Sequence, residues 1–264
     1  MKPPLGQHDV DLWVLDLDCI EPELLDRYLS FMSDEERAQE QRLRFPGGRE
    51  RYRCTRALAR TVLSYYTRCD PREWVFGANA HGKPYVCHPR GIAPRFNLSH
   101  SGRMVLCAVT CDAEVGVDVE QARELPKAVE LARRFFAPTE AAAVRNAPLE
   151  QRSRVFLRFW TFKESYVKAR GVGLLVPLDG FFFRLQDDIP PSIDFADLRS
   201  DNPDHWQFAE LRYGKSYQMA LAVRRPRSEP LHIRVRRTEP LAHITDPQRL
   251  LDTPLRRWHI QDAP

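Results

Sequence analysis

The run Phe159-Trp160-Thr161-Phe162-Lys163-Glu164-Ser165-Tyr166-Val167-Lys168-Ala169-Arg170-Gly171 sets a carboxylate and an ammonium one helical turn apart. Glu164 and Lys168 share a face, Trp160 precedes them on it, and Phe159, Phe162 and Tyr166 recur on a neighbouring stripe. Flanked by that much aromatic surface, the two charges are only half solvated. Alone, such a pair reads as an ordinary surface ion pair, but other stretches supply partners for it. In Gly116-Val117-Asp118-Val119-Glu120 the valines face one way and the two acids the other, about 7 Å apart along a strand. Like charges that nothing local neutralises suit a hard divalent cation with oxygen ligands, Mg²⁺ where phosphates are also bound; Gly116 beside them leaves room for a ligand. Ser99, His100 and Ser101, read as a loop ahead of an apolar strand, offer hydroxyls, an imidazole and backbone N–H groups to phosphate oxygens. Lys83, in the tight turn Gly82-Lys83-Pro84, adds a held cation. Arg49, Arg53, Arg56 and Arg60 step by four, three and four along one helix, a basic face that a polyanion would neutralise. Together these groups equip a site for displacement at phosphorus: cations absorb the leaving group's charge and a carboxylate takes a proton from the incoming hydroxyl.

The elements that must position these groups can be read in order. Residues 9–18 alternate as a strand, a helix follows near 21–31, and Ser33-Asp34-Glu35-Glu36 reads as the cap and acidic first turn of another. Pro46-Gly47-Gly48 breaks the chain before the arginine-bearing helix of about 49–67, whose Tyr52, Ala59, Val62, Leu63 and Tyr66 form an apolar stripe. Short strands are expected at 73–77, 104–109 and 115–120, a basic helical stretch at 127–158, and a helix ending at Gly171, where a left-handed residue is needed. A strand near 181–185, a proline-containing loop over 186–204 and strands at 205–213 and 216–224 complete the pattern. Beyond about 226 the composition turns to Arg, Pro and His and predicts a loosely attached tail. Strands and helices recur on both sides of a join near 112, so the chain divides into 1–112, 113–225 and an extension over 226–264.

Composition narrows the class. A chain of 264 residues with 29% charged and 43% hydrophobic residues is long enough for a sizeable core and reads as soluble. No apolar run approaches the roughly 20 residues of a membrane span, and the N-terminus lacks a secretory pattern, so a cytoplasmic protein is expected. The six cysteines show no C-x-x-C spacing and read as reduced thiols, and His81, Cys87 and His88 lack the second ligand pair a zinc site needs. The formal charge of +4 mildly favours an anionic partner. Of the 40 basic residues six are lysines, and three of those, Lys83, Lys163 and Lys168, fall inside the candidate motifs. A compact ammonium on a flexible stem meets a phosphate oxygen end-on. No Walker-type loop or kinase-like glycine loop is present, which argues against an ordinary ATP kinase.

Phe96-Asn97-Leu98-Ser99-His100-Ser101-Gly102, Gly116-Val117-Asp118-Val119-Glu120 and the Trp160-to-Lys168 block resemble the signature motifs of the surfactin-type (Sfp-like) 4′-phosphopantetheinyl transferases. Gly82-Lys83-Pro84, Phe135-Phe136 with Glu140, and Gly171-Val172-Gly173-Leu174 match further family features in the same order, and the similarity runs from about residue 10 to about 240. The resemblance implies an α+β fold of two similar α/β subdomains in a pseudo-twofold arrangement, with the active site in the cleft between them. It implies transfer of 4′-phosphopantetheine from coenzyme A to a serine of an acyl or peptidyl carrier protein of fatty acid, polyketide or nonribosomal peptide synthases. The by-product is 3′,5′-ADP, and a monomer serving secondary metabolism is the expectation. Carried over by position, Asp118, Glu120 and Glu164 would hold Mg²⁺ (or Mn²⁺). Glu164 would take the serine proton and Lys168 would steady the leaving phosphate. Lys83, Pro84, Ser99, His100 and Lys163 would contact coenzyme A, with Arg49 or Arg53 on its 3′-phosphate. The chain departs from the family pattern at Ser33-Asp34-Glu35-Glu36 and Gln39, where close relatives carry lysines.

Two rivals use the same residues differently. A Mg²⁺-dependent nuclease would need the carboxylates, a lysine and positive charge, would bind nucleic acid in a salt-sensitive way, and would ignore coenzyme A. A non-catalytic carrier-protein binder would have no use for all three carboxylates and Lys168. The transferase reading predicts neither nucleic-acid nor membrane partners.

Overall fold

The computed structural model describes residues 5–240, apart from 46, 68, 92–93, 174–175, 187–188, 198–200 and 239, and residues 258–261 by backbone alone. Pro46 and Leu174 of the motifs above, and most of the tail after 240, lie outside the described residues.

The first half runs β1 (Asp9–Asp16), α1 (Pro22–Leu29), α2 (Asp34–Gln41), the long α3 (Gly48–Thr67), the hairpin β2 (Val75–Ala78) and β3 (Pro84–His88), then β4 (Arg95–Ser101) and β5 (Met104–Thr110). The second half repeats that plan. It runs β6 (Val115–Gln121), α4 (Ala128–Phe135), α5 (Pro138–Asn146), the long α6 (Arg152–Arg170), the hairpin β7 (Phe181–Gln186) and β8 (Ile189–Phe195), then β9 (Trp206–Tyr213) and β10 (Tyr217–Arg224). Strand order is β1-β5-β4 in one sheet and β6-β10-β9 in the other, so in each half the last strand sits between the other two. This is the expected α+β architecture of two similar halves.

Alternation decides the layering. Val10, Leu12 and Val14 of β1 and Val115, Val117 and Val119 of β6 meet in one buried cluster between the sheets, with Leu106, Met219 and Leu221. The opposite face of the first sheet, Trp13 and Leu15 included, packs on α3 through Leu58, Val62 and Leu63. The opposite face of the second, with Ala220 and Ala222, packs on α6 through Phe162, Tyr166 and Ala169. Helices therefore cover both outer faces and apolar side chains fill the middle. Two local signals hold as read. Ser33 accepts from the Glu36 N–H while Glu36 reaches back to the Ser33 N–H, and Gly171 ends α6 at φ 64°.

Two expectations fail. Residues 186–204 are not simply a loop, because Ile189–Phe195 pairs antiparallel with β7 and buries Ile193 and Phe195. Residues 226–238 are not loosely attached either. β11 (His232–Arg237) joins β1 in parallel, from Asp9 opposite His232 to Val14 opposite Arg237. The reason is visible in its alternation: Ile233 and Val235 pack on the inter-sheet core, while Arg234 and Arg236 turn to the other face. There Asp11, fully buried, accepts from Arg234 at 2.5 Å and Arg236 at 3.2 Å and also from the Tyr66 hydroxyl. A fourth strand also borders β9, where β12 (Trp258–Gln261) pairs antiparallel. Asp11→Ala leaves Arg236 without its carboxylate and Arg234 with Asp9 alone, at 3.0 Å, and is expected to cost about 3 kcal/mol. Thermal melting would register the loss, and faster amide exchange over 232–237 would localise it.

Candidate active site at the seam between the two sheets

β4 and β6 are the edges at which the two sheets come together, and they are joined through side chains instead of a backbone ladder. Val117 N–H donates to Asn97 Oδ1 at 2.9 Å, Val119 N–H to Ser99 Oγ at 3.3 Å and Gln121 N–H to Ser101 Oγ at 3.0 Å. Alternate side chains of β4 thus satisfy alternate N–H groups that β10 leaves free on β6. Ser99 and His100 therefore stand on a strand, not on the loop that the sequence suggested.

The second seam joins β6 to α6. A Cβ on Gly116 would lie 2.0 Å from the Ser165 carbonyl oxygen and 2.4 Å from the Ala169 nitrogen. The space beside Gly116 belongs to the helix backbone and not to a ligand. That approach brings Lys168 onto Asp118: its Nζ donates to Asp118 Oδ1 at 2.6 Å and to Ser99 Oγ at 2.8 Å, and Ser99 Oγ donates to Asp118 Oδ1 at 2.9 Å. Gly116→Ala forces two backbones apart; we expect a loss of about 3 kcal/mol, the upper range for overpacking. Any activity of this site should fall with it, because the Lys168 to Asp118 contact depends on this spacing; melting and turnover of one preparation test both.

Asp118 is buried, and its Oδ2 has no hydrogen-bond partner. Burial raises its pKa against the opposing pull of Lys168. Glu164, half-buried one turn before Lys168, is raised first by burial and then by the charge of Asp118, with Glu120 adding to it and Lys168 offsetting it. Glu120 pairs with Arg123 at 2.8 Å and accepts from Ser101 Oγ at 3.2 Å. Among the described residues no three His, Cys, Asp or Glu side chains gather closely enough to hold a metal. The expected three-acid cluster is thus not closed: Lys168 covers one oxygen of Asp118, and Arg123 covers Glu120. The donor chemistry nevertheless fits a hard cation, with a buried unpartnered carboxylate oxygen and a neighbouring carboxyl burdened by like charge.

A cavity of about 600 Å³ opens at this point. Asp118, Glu120, Lys168, Ser99, His100 and Pro84 line it together with Glu36 of α2 and Arg51, Tyr52, Thr55 and Arg56 of α3. His100 stands open at the wall. Its pKa is lowered, chiefly by partial desolvation and then by Arg51, so the ring is a neutral hydrogen-bonding group near pH 7.

The structure does not bring every candidate here. Lys163 is fully buried, paired with Glu140 at 2.8 Å and donating to the carbonyls of Leu178 at 2.6 Å and Phe181 at 2.7 Å. It ties α6 to α5 and the start of β7, and no ligand reaches it there. The arginine face is already neutralised from within: Arg53 pairs with Glu40 at 2.8 Å and Arg60 with Glu36 at 2.7 Å, while Arg49 donates to the carbonyls of Leu43 and Gln41. Glu36 and Glu40 of α2 are the counter-charges. Lys83 turns its ammonium to main-chain carbonyls outside this cavity. Arg51, off that arginine stripe, is the α3 guanidinium the sequence reading missed. Its signal was a second periodic face, Gly48, Arg51, Tyr52 and Thr55, which the cavity uses together with Arg56 of the arginine stripe.

No helix among the described residues is long and apolar enough to cross a membrane. A family model described as the 4′-phosphopantetheinyl transferase superfamily matches residues 114–222, the half that carries Asp118, Glu120, Glu164 and Lys168. The 4′-phosphopantetheinyl transferase HetI of Nostoc sp. is 37% identical over 179 residues, which is 66% of this chain and 74% of that one. The 4′-phosphopantetheinyl transferase Sfp of Bacillus subtilis is 33% identical over 201 residues, 76% of this chain and 86% of its own. With relatives this similar over most of their length, and a lysine–carboxylate centre in the matched half, the chain belongs to the 4′-phosphopantetheinyl transferases, enzymes that transfer a phosphopantetheine group to carrier proteins.

Proposed function

We propose that coenzyme A lies in the cavity between the halves and donates its phosphopantetheine to a serine of an acyl or peptidyl carrier protein. The observation that carries this reading is the Asp118 carboxylate, shared by Lys168 and Ser99 on one oxygen and free on the other, in a cavity that Arg51 and Arg56 of α3 also line. In the reaction the serine oxygen bonds to the pantetheine-side phosphorus while the bond from that phosphorus to the bridging oxygen breaks, and 3′,5′-ADP leaves. Glu164 receives the serine proton, directly or through water, and its raised pKa suits it to hold that proton. Lys168 steadies the departing phosphate, and Ser99 keeps its ammonium oriented. His100 and Arg51 meet the phosphates nearer the nucleotide, with Pro84 closing the wall. Asp118 through Oδ2, Glu120 and Glu164 would hold Mg²⁺ or Mn²⁺, which when bound draws charge from the pyrophosphate. Glu120 takes up that role by releasing Arg123, an exposed side chain free to turn to water. Family membership leaves the nuclease reading without support. A cytoplasmic monomer that serves fatty acid, polyketide or nonribosomal peptide synthases fits this chemistry.

Mass spectrometry of an apo carrier protein incubated with the chain, coenzyme A and Mg²⁺ tests the reading. A phosphopantetheine-sized gain on serine is expected; a carrier that stays unmodified at high enzyme concentration overturns it.

A further inference from the structure

The turn between β2 and β3 belongs to the first half of the chain, yet its polar groups close on the end of α6 in the second. Asn79 Oδ1 accepts from the N–H groups of His81 at 2.9 Å and Lys83 at 3.0 Å, which fixes the turn from inside. Asn79 Nδ2 is then aimed outward and donates to the Gly171 carbonyl at 2.7 Å. Lys83 Nζ donates to the Ala169 carbonyl at 2.6 Å and, at 3.4 Å, to that of Val115. The last carbonyls of a helix lack intrahelical donors and carry the negative end of its dipole, so an ammonium and an amide are fitting partners for them. Shape agrees with charge: a Cβ on Gly171 would meet the Lys83 stem at 2.8 Å and Asn79 Nδ2 at 3.2 Å, and one on Gly173 would meet His81 at 3.0 Å.

The two carbonyls that Lys83 joins are well chosen. Ala169 follows Lys168 directly, and Val115 opens the strand that carries Asp118 and Glu120. We propose that Lys83 and Asn79 form a clamp that holds the end of α6 against the start of β6, making Lys83 a positioning residue for the Lys168–Asp118–Glu164 centre instead of a phosphate ligand. Partial burial lowers the Lys83 pKa to about 8, with Glu114 opposing the shift and Arg95 adding to it. An ammonium so placed is committed to the carbonyls it touches and is not a mobile charge awaiting a substrate.

The proposal rests on the transferase reading, and its test keeps the two apart by running the unmodified chain in the same assay. Lys83→Met keeps the stem and loses the donor; Asn79→Ala removes an uncharged, exposed group that no phosphate would need. For each variant we expect kcat to fall about tenfold while KM for coenzyme A stays within about twofold, the signature of a disturbed reacting geometry. Amide exchange over 165–171 should quicken in both without any substrate present. A rise in KM for coenzyme A at unchanged kcat in Lys83→Met would make Lys83 a ligand and overturn the clamp. So would exchange over 165–171 that matches the unmodified chain. Should Lys83→Met fail to fold, the exposed Asn79→Ala carries the test alone. An unmodified chain that transfers nothing refutes the transferase reading, while the exchange experiment still decides on the clamp.

Discussion

Glu164→Gln should abolish transfer, by about 10²- to 10⁴-fold, and leave the melting temperature unchanged or slightly higher. The two effects share one cause. Burial, with the charges of Asp118 and Glu120, makes the ionised carboxyl costly and raises its pKa above the ordinary carboxylate range. A group whose pKa is higher in the folded chain than in the unfolded one binds its proton more tightly when folded. Its charge therefore counts against the fold above the unfolded value, and that penalty lifts as pH falls through the folded value. Glutamine removes the penalty at neutral pH and removes the proton acceptor with it. The same sign fixes how stability without metal depends on pH: the unmodified chain, unlike Glu164→Gln, should gain stability as pH falls through the raised value. Scanning calorimetry beside turnover measured from pH 5 to 9 checks both. A variant with unaltered turnover would take Glu164 out of the reaction, and one that melts far lower would make it a structural acid.

Lys163→Ala is expected to behave in the opposite way, with a loss of about 3–5 kcal/mol and a transition lower by on the order of 10 °C. The substitution leaves the Glu140 carboxylate buried without its ammonium and two carbonyls without a donor. Glu140 also caps the start of α5 and accepts from the Phe183 N–H, so the disturbance reaches β7. Burial pushes the Lys163 pKa down and the Glu140 pKa up, each toward its neutral form, and mutual contact at 2.8 Å works against both. Replacing both with Lys163→Met and Glu140→Gln should recover a large share of the stability, because no unpaired charge remains. Whatever fraction of Lys163→Ala stays folded should bind coenzyme A normally. Weaker binding by that folded fraction, read by calorimetry below the transition, would return Lys163 to the ligand site.

These two residues lie side by side in sequence, and the sequence could not tell them apart. Helix periodicity orders faces but does not say which face a neighbour covers, and Lys163 is one step round from Glu164. What was legible was local. The alternation of 115–120, the capping box at Ser33 and the glycine stop at 171 are each decided within a few residues, and each stands as read. What was not legible depended on distant partners. The arginine face meets glutamates on α2, the basic strand after 231 meets Asp11 at the other end of the chain, and Lys83 meets carbonyls 86 and 32 residues away. The arginine face and Lys83 looked free for a ligand, and the segment after 231 looked loosely attached; in each case the charge had an internal counterpart. Asp118, Ser99 and Lys168 do meet, from three elements whose motifs were all legible.

The seam at β4 has a consequence for how substitutions along that strand will be read. Asn97, Ser99 and Ser101 act as rungs for the N–H groups of β6, and Ser99 touches the reacting centre as well. A mutational scan will show intolerance at every second position, polar each time and beside the strand of Asp118 and Glu120. That pattern imitates a recognition motif. One of its three positions, Asn97, would be reporting only on how two half-molecules are stitched into one.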